Sequence, residues 1–134
     1  MRYLLILSFL AFTSCNSQSK QNPTDFKNSI DRGAEIYSDF CVTCHLPNGK
    51  GVPKTFPPLA NSDYLMNNRS LSIKAIKYGQ NGEIIVNGET YNSAMAPLGL
   101  SDEEVADVMN YITTSWGNKN NTMITTEEVS KIEK

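Results

Sequence analysis

Apolar and polar positions fall into distinct blocks along this chain, each with its own period. Residues 3–12 are an apolar run, and residues 16–24 (NSQSKQNPT) hold no large apolar side chain and one proline, the composition of a tether. Helical spacing begins next. Ile30, Ala34, Tyr37 and Phe40 or Cys41 share a stripe, which predicts a helix from about Asp25 or Ile30 to Phe40. Residues 47–59 are rich in glycine and proline and read as a loop. Ser62-Asp63 can cap a short helix over residues 64–67, and Leu71, Ile73, Ala75, Ile76 and Tyr78 predict another over 70–78, ended by Gly79. Residues 83–86 and 89–91 flank Asn87-Gly88, a strong two-residue hairpin signal. Ser101 with Glu104 three residues later is a capping box. It opens a helix to about Ser115, with Val105, Val108, Met109, Ile112 and Trp116 at helical spacing. From Gly117 onward the chain is mostly polar, so 118–134 is expected as a polar C-terminal tail with at most a marginal turn or two over 125–131. The elements add up to an all-α domain with a possible small β-hairpin near 83–91 and no internal repeat.

Length and charge narrow the classes. A chain of 134 residues has room for one domain once leader and tail are set aside. A formal net charge of −2 and a pI near 5.3 argue against a nucleic-acid binder, which usually carries a basic surplus. No stretch reaches the roughly eighteen apolar residues of a membrane span. Instead Met1-Arg2, the apolar run and Thr13-Ser14-Cys15 have the layout of an export signal over residues 1–14. Small residues followed by cysteine resemble the lipobox of bacterial lipoproteins. That resemblance implies acylation of Cys15, a flexible tether over 15–24 and anchoring to a membrane on the outer side of the cytoplasmic boundary. Two acyl chains suffice for a stable anchor at about 0.8 kcal/mol per buried methylene, and the tether would span roughly 15–18 Å.

The chemistry sits in five residues, Cys41-Val42-Thr43-Cys44-His45, which match C-x-x-C-H, the attachment sequence of c-type haem. Two cysteines three apart at a helix end lie on one side, where each thiol can add to a haem vinyl group. The following histidine is carried to the iron. A dithiol oxidoreductase would want a strand–helix pattern around its C-x-x-C, which is missing here. Structural zinc needs four ligands, and apart from Cys15 at the end of the leader the chain has no other Cys or His. A plain disulfide would leave His45 unexplained. Because His45 is the only histidine, a second iron ligand falls to methionine: Met66, Met95, Met109 or Met123. Met109 lies on the apolar side of a helix, Met123 in the tail, and Met66 in a short helix close to the attachment loop. Met95, in the irregular loop 92–98, is the preferred ligand, because a loop can lay a thioether across a haem face. Its competing role is loop-to-core packing.

With these residues in place, the span from about Ile30 to Gly117 resembles the class I cytochromes c. Gly33 and Tyr37 resemble the family's first-helix glycine and aromatic, and Tyr111 resembles the last-helix aromatic that crosses them. Pro57 or Pro58 with Leu59 resembles the segment whose proline carbonyl accepts a hydrogen bond from the proximal histidine. Residues 95–101 resemble the methionine–proline loop leading into the last helix. The resemblance implies a cytochrome c fold over 25–117, with four or five helices around one covalently bound haem c. Tyr91, Asn92 and Trp116 are candidates for propionate contacts, or ordinary core and loop residues. Lys50, Lys54, Lys74 and Lys77 can form a basic rim or simply be solvated. The implied function is one-electron transfer between redox protein partners, by a carrier that is not itself an enzyme. The alternatives are a cytochrome subunit of a larger redox complex, a haem enzyme or gas sensor with an open sixth position, and a non-haem dithiol oxidoreductase.

Overall fold

Helix α1 (Pro23–Phe40) starts two residues before the Asp25 expected from its stripe. The cause is local: the Asn22 side chain caps it by accepting from Thr24 N at 3.1 Å, and Pro23 occupies the first turn, where its missing N–H costs nothing. The computed structural model describes residues 22–134; the export signal, Cys15 and most of the tether lie outside the described residues. Five more helices follow: α2 (Val42–His45), α3 (Asp63–Asn67), α4 (Arg69–Tyr78), α5 (Asp102–Thr114) and α6 (Thr126–Ser130). Between α4 and α5 lies the hairpin, β1 (Ile84–Val86) and β2 (Glu89–Tyr91), antiparallel with Ile84 opposite Tyr91. The local signals act as expected. Ser62 caps α3, Gly79 ends α4 at φ +86°, and Ser101 and Glu104 close the capping box on α5.

Helix α1 crosses α5 at Gly33. A Cβ there would lie 2.0 Å from the Asp107 carbonyl oxygen and 2.8 Å from Tyr111 Cβ, so only glycine permits this approach. Four residues on, Tyr37 meets Tyr111 with ring centroids 5.4 Å apart. Around the crossing, Val105, Val108, Met109 and Ile112 of α5 are buried with Leu65 of α3 and Ile73 of α4. At roughly 1.5–3 kcal/mol per buried apolar side chain, this cluster is the main source of cohesion in the protein moiety.

Polar groups cross the same interface. Asp107, 4 % exposed, accepts from Ser29 Oγ at 2.6 Å and from Arg32 at 2.6 and 2.8 Å. Asn110 Nδ2 donates to Ser29 Oγ and to Ile124 O, both at 2.8 Å, and Asn110 Oδ1 accepts from Ile124 N at 2.7 Å. This second pair binds the segment after Gly117, which the sequence marks as a polar tail. In the structure it belongs to the domain: Ile124 and Val129 have no exposed surface. Arg69 clasps Glu128 through two 2.6 Å bonds, and the Tyr78 hydroxyl donates to Ile132 O at 3.0 Å. Few apolar residues suffice to dock the segment because its backbone is met by side chains of α4 and α5.

Candidate haem site

At the end of α1 the backbone N–H of Cys41 still donates to Tyr37 O, and α2 turns immediately, carrying Cys44 and His45. The Tyr37 hydroxyl fixes that turn by donating to Leu46 O at 2.7 Å, and burial pushes the phenol's pKa up. Cys41 and Cys44 are both half-buried. Burial, then the neighbouring Cys44, would push the thiol of an unattached Cys41 up to about 11.

Beyond His45 the chain folds back on itself. Gly51 N donates to His45 O at 3.0 Å, and Leu59 N and Ala60 N both donate to Gly49 O, at 2.7 and 2.9 Å. Gly51, at φ +59°, leaves room for Phe56 O, which a Cβ would meet at 2.2 Å. The closed loop sets the Pro57 carbonyl 3.0 Å from His45 Nδ1. Of the two prolines, therefore, Pro57 is the partner. Nδ1 carries the donated proton, which leaves Nε2 as the ring's free lone pair. Burial lowers the His45 pKa, opposed by the Pro57 bond, so the imidazole is neutral at pH 7.

Met95 comes from the far side of the fold. Its backbone pairs with Gln80 in both directions, N to O and O to N, each at 2.8 Å. Gly79 makes this approach possible, since a Cβ there would lie 2.6 Å from Met95 O. Cys41, Cys44, His45 and Met95 all line one cavity of about 270 Å³. Its walls are largely apolar, with Leu59, Ile76, Val86, Tyr91, Val108 and Ile112 among them. Two thiols, one free imidazole nitrogen and one thioether around an apolar chamber fit a porphyrin with thioether attachment and two axial ligands. Ser72 adds a further mark: it lines the cavity and its buried Oγ has no partner among the described residues. Such a hydroxyl is expensive unless a guest satisfies it.

The other candidate methionines lie elsewhere. Met109 is fully buried in the core, Met66 borders a separate small depression beside Arg69, and Met123 does not line the cavity. Trp116 is also outside it. At φ +52°, it stands against Gly49, donates to Pro47 O at 3.2 Å and packs on Tyr37 and Tyr111 at 5.0 and 5.5 Å. It braces the loop that carries Pro57. Tyr91 lines the cavity, whereas Asn92 is exposed and does not. Lys77 pairs with Asp102 at 2.8 Å and donates to Val129 O, so it ties α4 to its neighbours, while Lys50, Lys54 and Lys74 are exposed. Among the described residues no three His, Cys, Asp or Glu side chains gather as a metal site of their own. Ser72 and Gln80 carried no sequence signal; both act through placement on α4 and at its end.

Comparison with known proteins places this geometry. The cytochrome c family profile matches residues 30–116. Cytochrome c-552 of Thermus thermophilus is 41% identical over 109 residues, covering 75% of this chain and 82% of that protein. The cytochrome c subunit of a quinone alcohol dehydrogenase from Gluconacetobacter polyoxogenes is 35% identical over 104 residues, covering 75% of this chain and 22% of that subunit. The fructose dehydrogenase cytochrome subunit of Gluconobacter japonicus is 27% identical over 115 residues, or 81% of this chain and 23% of that subunit. Matched along most of its length by the family and by a relative of similar size, the chain belongs to the cytochrome c family, electron carriers with covalently bound haem c.

Proposed function

We propose that this cytochrome is a one-electron carrier whose haem c is bonded to Cys41 and Cys44 and ligated by His45 and Met95. The observation that carries the reading is the 3.0 Å bond from His45 Nδ1 to Pro57 O, with Met95 held by Gln80 in another wall of the same cavity. When bound, the haem supplies reversible one-electron iron chemistry. The chain does the rest. Pro57 fixes the imidazole's tautomer and makes it a better donor. The apolar walls keep water away. A thioether favours the reduced state over the oxidised one, which raises the potential. As an iron ligand, Met95 would also deny the metal to small ligands, as a carrier requires and a haem enzyme or gas sensor does not.

The export signal and the Cys15 motif support a carrier outside the cytoplasm, anchored by lipid, that passes electrons between respiratory or dehydrogenase partners. A second reading is a cytochrome subunit of a dehydrogenase complex, favoured by the relatives bearing such names. Among the described residues no helix is long and apolar enough to cross a membrane. Absorption spectra of the purified cytochrome and of Met95→Ala test the ligand set. The wild type should refuse carbon monoxide when reduced and show the weak long-wavelength band of ferric methionine ligation. Met95→Ala should bind carbon monoxide, lose the band, lower the potential and keep its covalent haem. Rapid carbon monoxide binding by the wild type would favour the open-site enzyme or sensor.

A further inference from the structure

The chain contains three Asn-Gly pairs, Asn48-Gly49, Asn81-Gly82 and Asn87-Gly88. The fold treats them differently. At Asn48 the side chain accepts from Lys50 N at 3.1 Å, and Gly49 N is committed to Leu46 O at 3.0 Å. Gly49 is buried against Trp116, and its carbonyl accepts from both Leu59 and Ala60. At Asn87 the side chain accepts from Asp63 N at 2.9 Å, while Asn87 N donates to Asp63 Oδ1 at 2.7 Å. That reciprocal clamp holds the carboxamide against α3.

Asn81 is set up otherwise. Its carboxamide oxygen accepts from the backbone N–H of Gly82, its own successor, at 3.0 Å, which holds that nitrogen beside the carboxamide it would attack. Both residues are exposed, and nothing lies within 4 Å of where a Gly82 Cβ would be. We propose that Asn81 is a spontaneous modification site, the fastest of the three Asn-Gly pairs to deamidate. The Gly82 nitrogen, on losing its proton to hydroxide, attacks Asn81 Cγ; the new N–C bond closes a succinimide and the side-chain nitrogen leaves as ammonia. Water then opens the ring at either carbonyl, giving aspartate or isoaspartate and one added negative charge. No oxidant or metal takes part.

The position gives the change a consequence. Gln80, the preceding residue, is the one whose backbone pairs with Met95. An isoaspartate inserts an extra backbone carbon beside that pairing, and either product sets a carboxylate next to the loop that carries Met95. The inference is independent of the electron-transfer reading, because its primary readout is mass. The full-length holoprotein is incubated at mildly alkaline pH, cleaved after glutamate and mapped by mass spectrometry with fragmentation. Glu83 lies between Asn81 and Asn87, so the cut separates the two sites. Amide-to-acid conversion at Asn81 should outrun that at Asn48 and Asn87 by about tenfold or more, a barrier difference of about 1.4 kcal/mol. Asn81→Gln and, separately, Gly82→Ala should each remove this fast phase while leaving the visible spectrum intact. Conversion at Asn48 or Asn87 at an equal or greater rate overturns the proposal, as does a fast phase that survives in both variants.

Discussion

Substituting Gly33 by alanine sets two effects of opposite sign against each other. Within a helix the change favours folding by about 1 kcal/mol, because glycine has the greater backbone freedom to lose. Against this, the new Cβ would stand 2.0 Å from Asp107 O, 2.6 Å from its carbonyl carbon and 2.8 Å from Tyr111 Cβ. Since real Cβ contacts essentially never fall below 3.0 Å, and two of these atoms are backbone, α1 and α5 must part by about 1 Å. Overpacking alone costs about 1–3 kcal/mol. Parting the helices also stretches the 2.6 Å bonds from Ser29 and Arg32 to the buried Asp107 carboxylate, each charge-assisted bond contributing about 1.5–3 kcal/mol. The net effect is a loss of about 2–4 kcal/mol, which lowers the thermal midpoint by roughly 10 °C for a domain of this size. Circular dichroism melts of the holoprotein, with haem kept in place by its thioethers, measure it directly. A midpoint unchanged or raised in Gly33→Ala would refute the crossing geometry, since helix propensity alone would then have decided the outcome.

Ile124→Ala should cost about 2–4 kcal/mol in guanidinium unfolding, as for a core position, and a change within about 0.5 kcal/mol would mean that the segment after Gly117 is a tail after all. Glu104, which accepts from the backbone and hydroxyl of Ser101, has its pKa held below the usual carboxylate range. A depressed folded-state pKa contributes stability above the unfolded value that is lost as pH falls through the folded one. The stability gap between wild type and Glu104→Gln should therefore be open at pH 7 and close under acid, and a gap independent of pH would sink the assignment. Cys15→Ser should move the cytochrome from the membrane fraction to the soluble one with its spectrum unchanged; wild type already soluble with an unmodified N-terminus would end the lipid reading.

What the sequence disclosed was what residues a few positions apart decide among themselves. The capping box at Ser101 and Glu104 and the turn at Asn87-Gly88 are each complete within five positions, as is the C-x-x-C-H pattern of Cys41, Cys44 and His45 on which the proposed haem attachment rests. Choosing between Pro57 and Pro58 needed the loop to close on Gly49 and Gly51, which no short pattern encodes. Met95, the proposed ligand, was preferred by elimination, but its pairing with Gln80 was not legible, because it joins backbones that any residues supply. Ser29, Asp107 and Asn110 look like solvent-facing positions on their helices. They are buried because they satisfy one another across 78 and 81 positions of chain. Residues 118–134 misled for the same reason. Ile124 lies outside any helical stripe, and its burial follows from hydrogen bonds to Asn110 rather than from periodicity.

That carboxamide sets an order of assembly. Asn110 offers Ile124 a donor and an acceptor, but its Nδ2 also reaches Ser29 on α1, so it is fully oriented only once α1 and α5 have crossed. The C-terminal segment is accordingly expected to dock last and detach first. Its release uncovers Ile124 and Val129 and frees Leu59 O from Asn118, while leaving Gly33 seated on Asp107. In native-state hydrogen exchange, the amides of Ile124 and α6 should open together, at a lower free energy than those in the middle of α5. The cytochrome would then pass through a partly open form in which its far end is loose and the crossing of α1 with α5 is still whole.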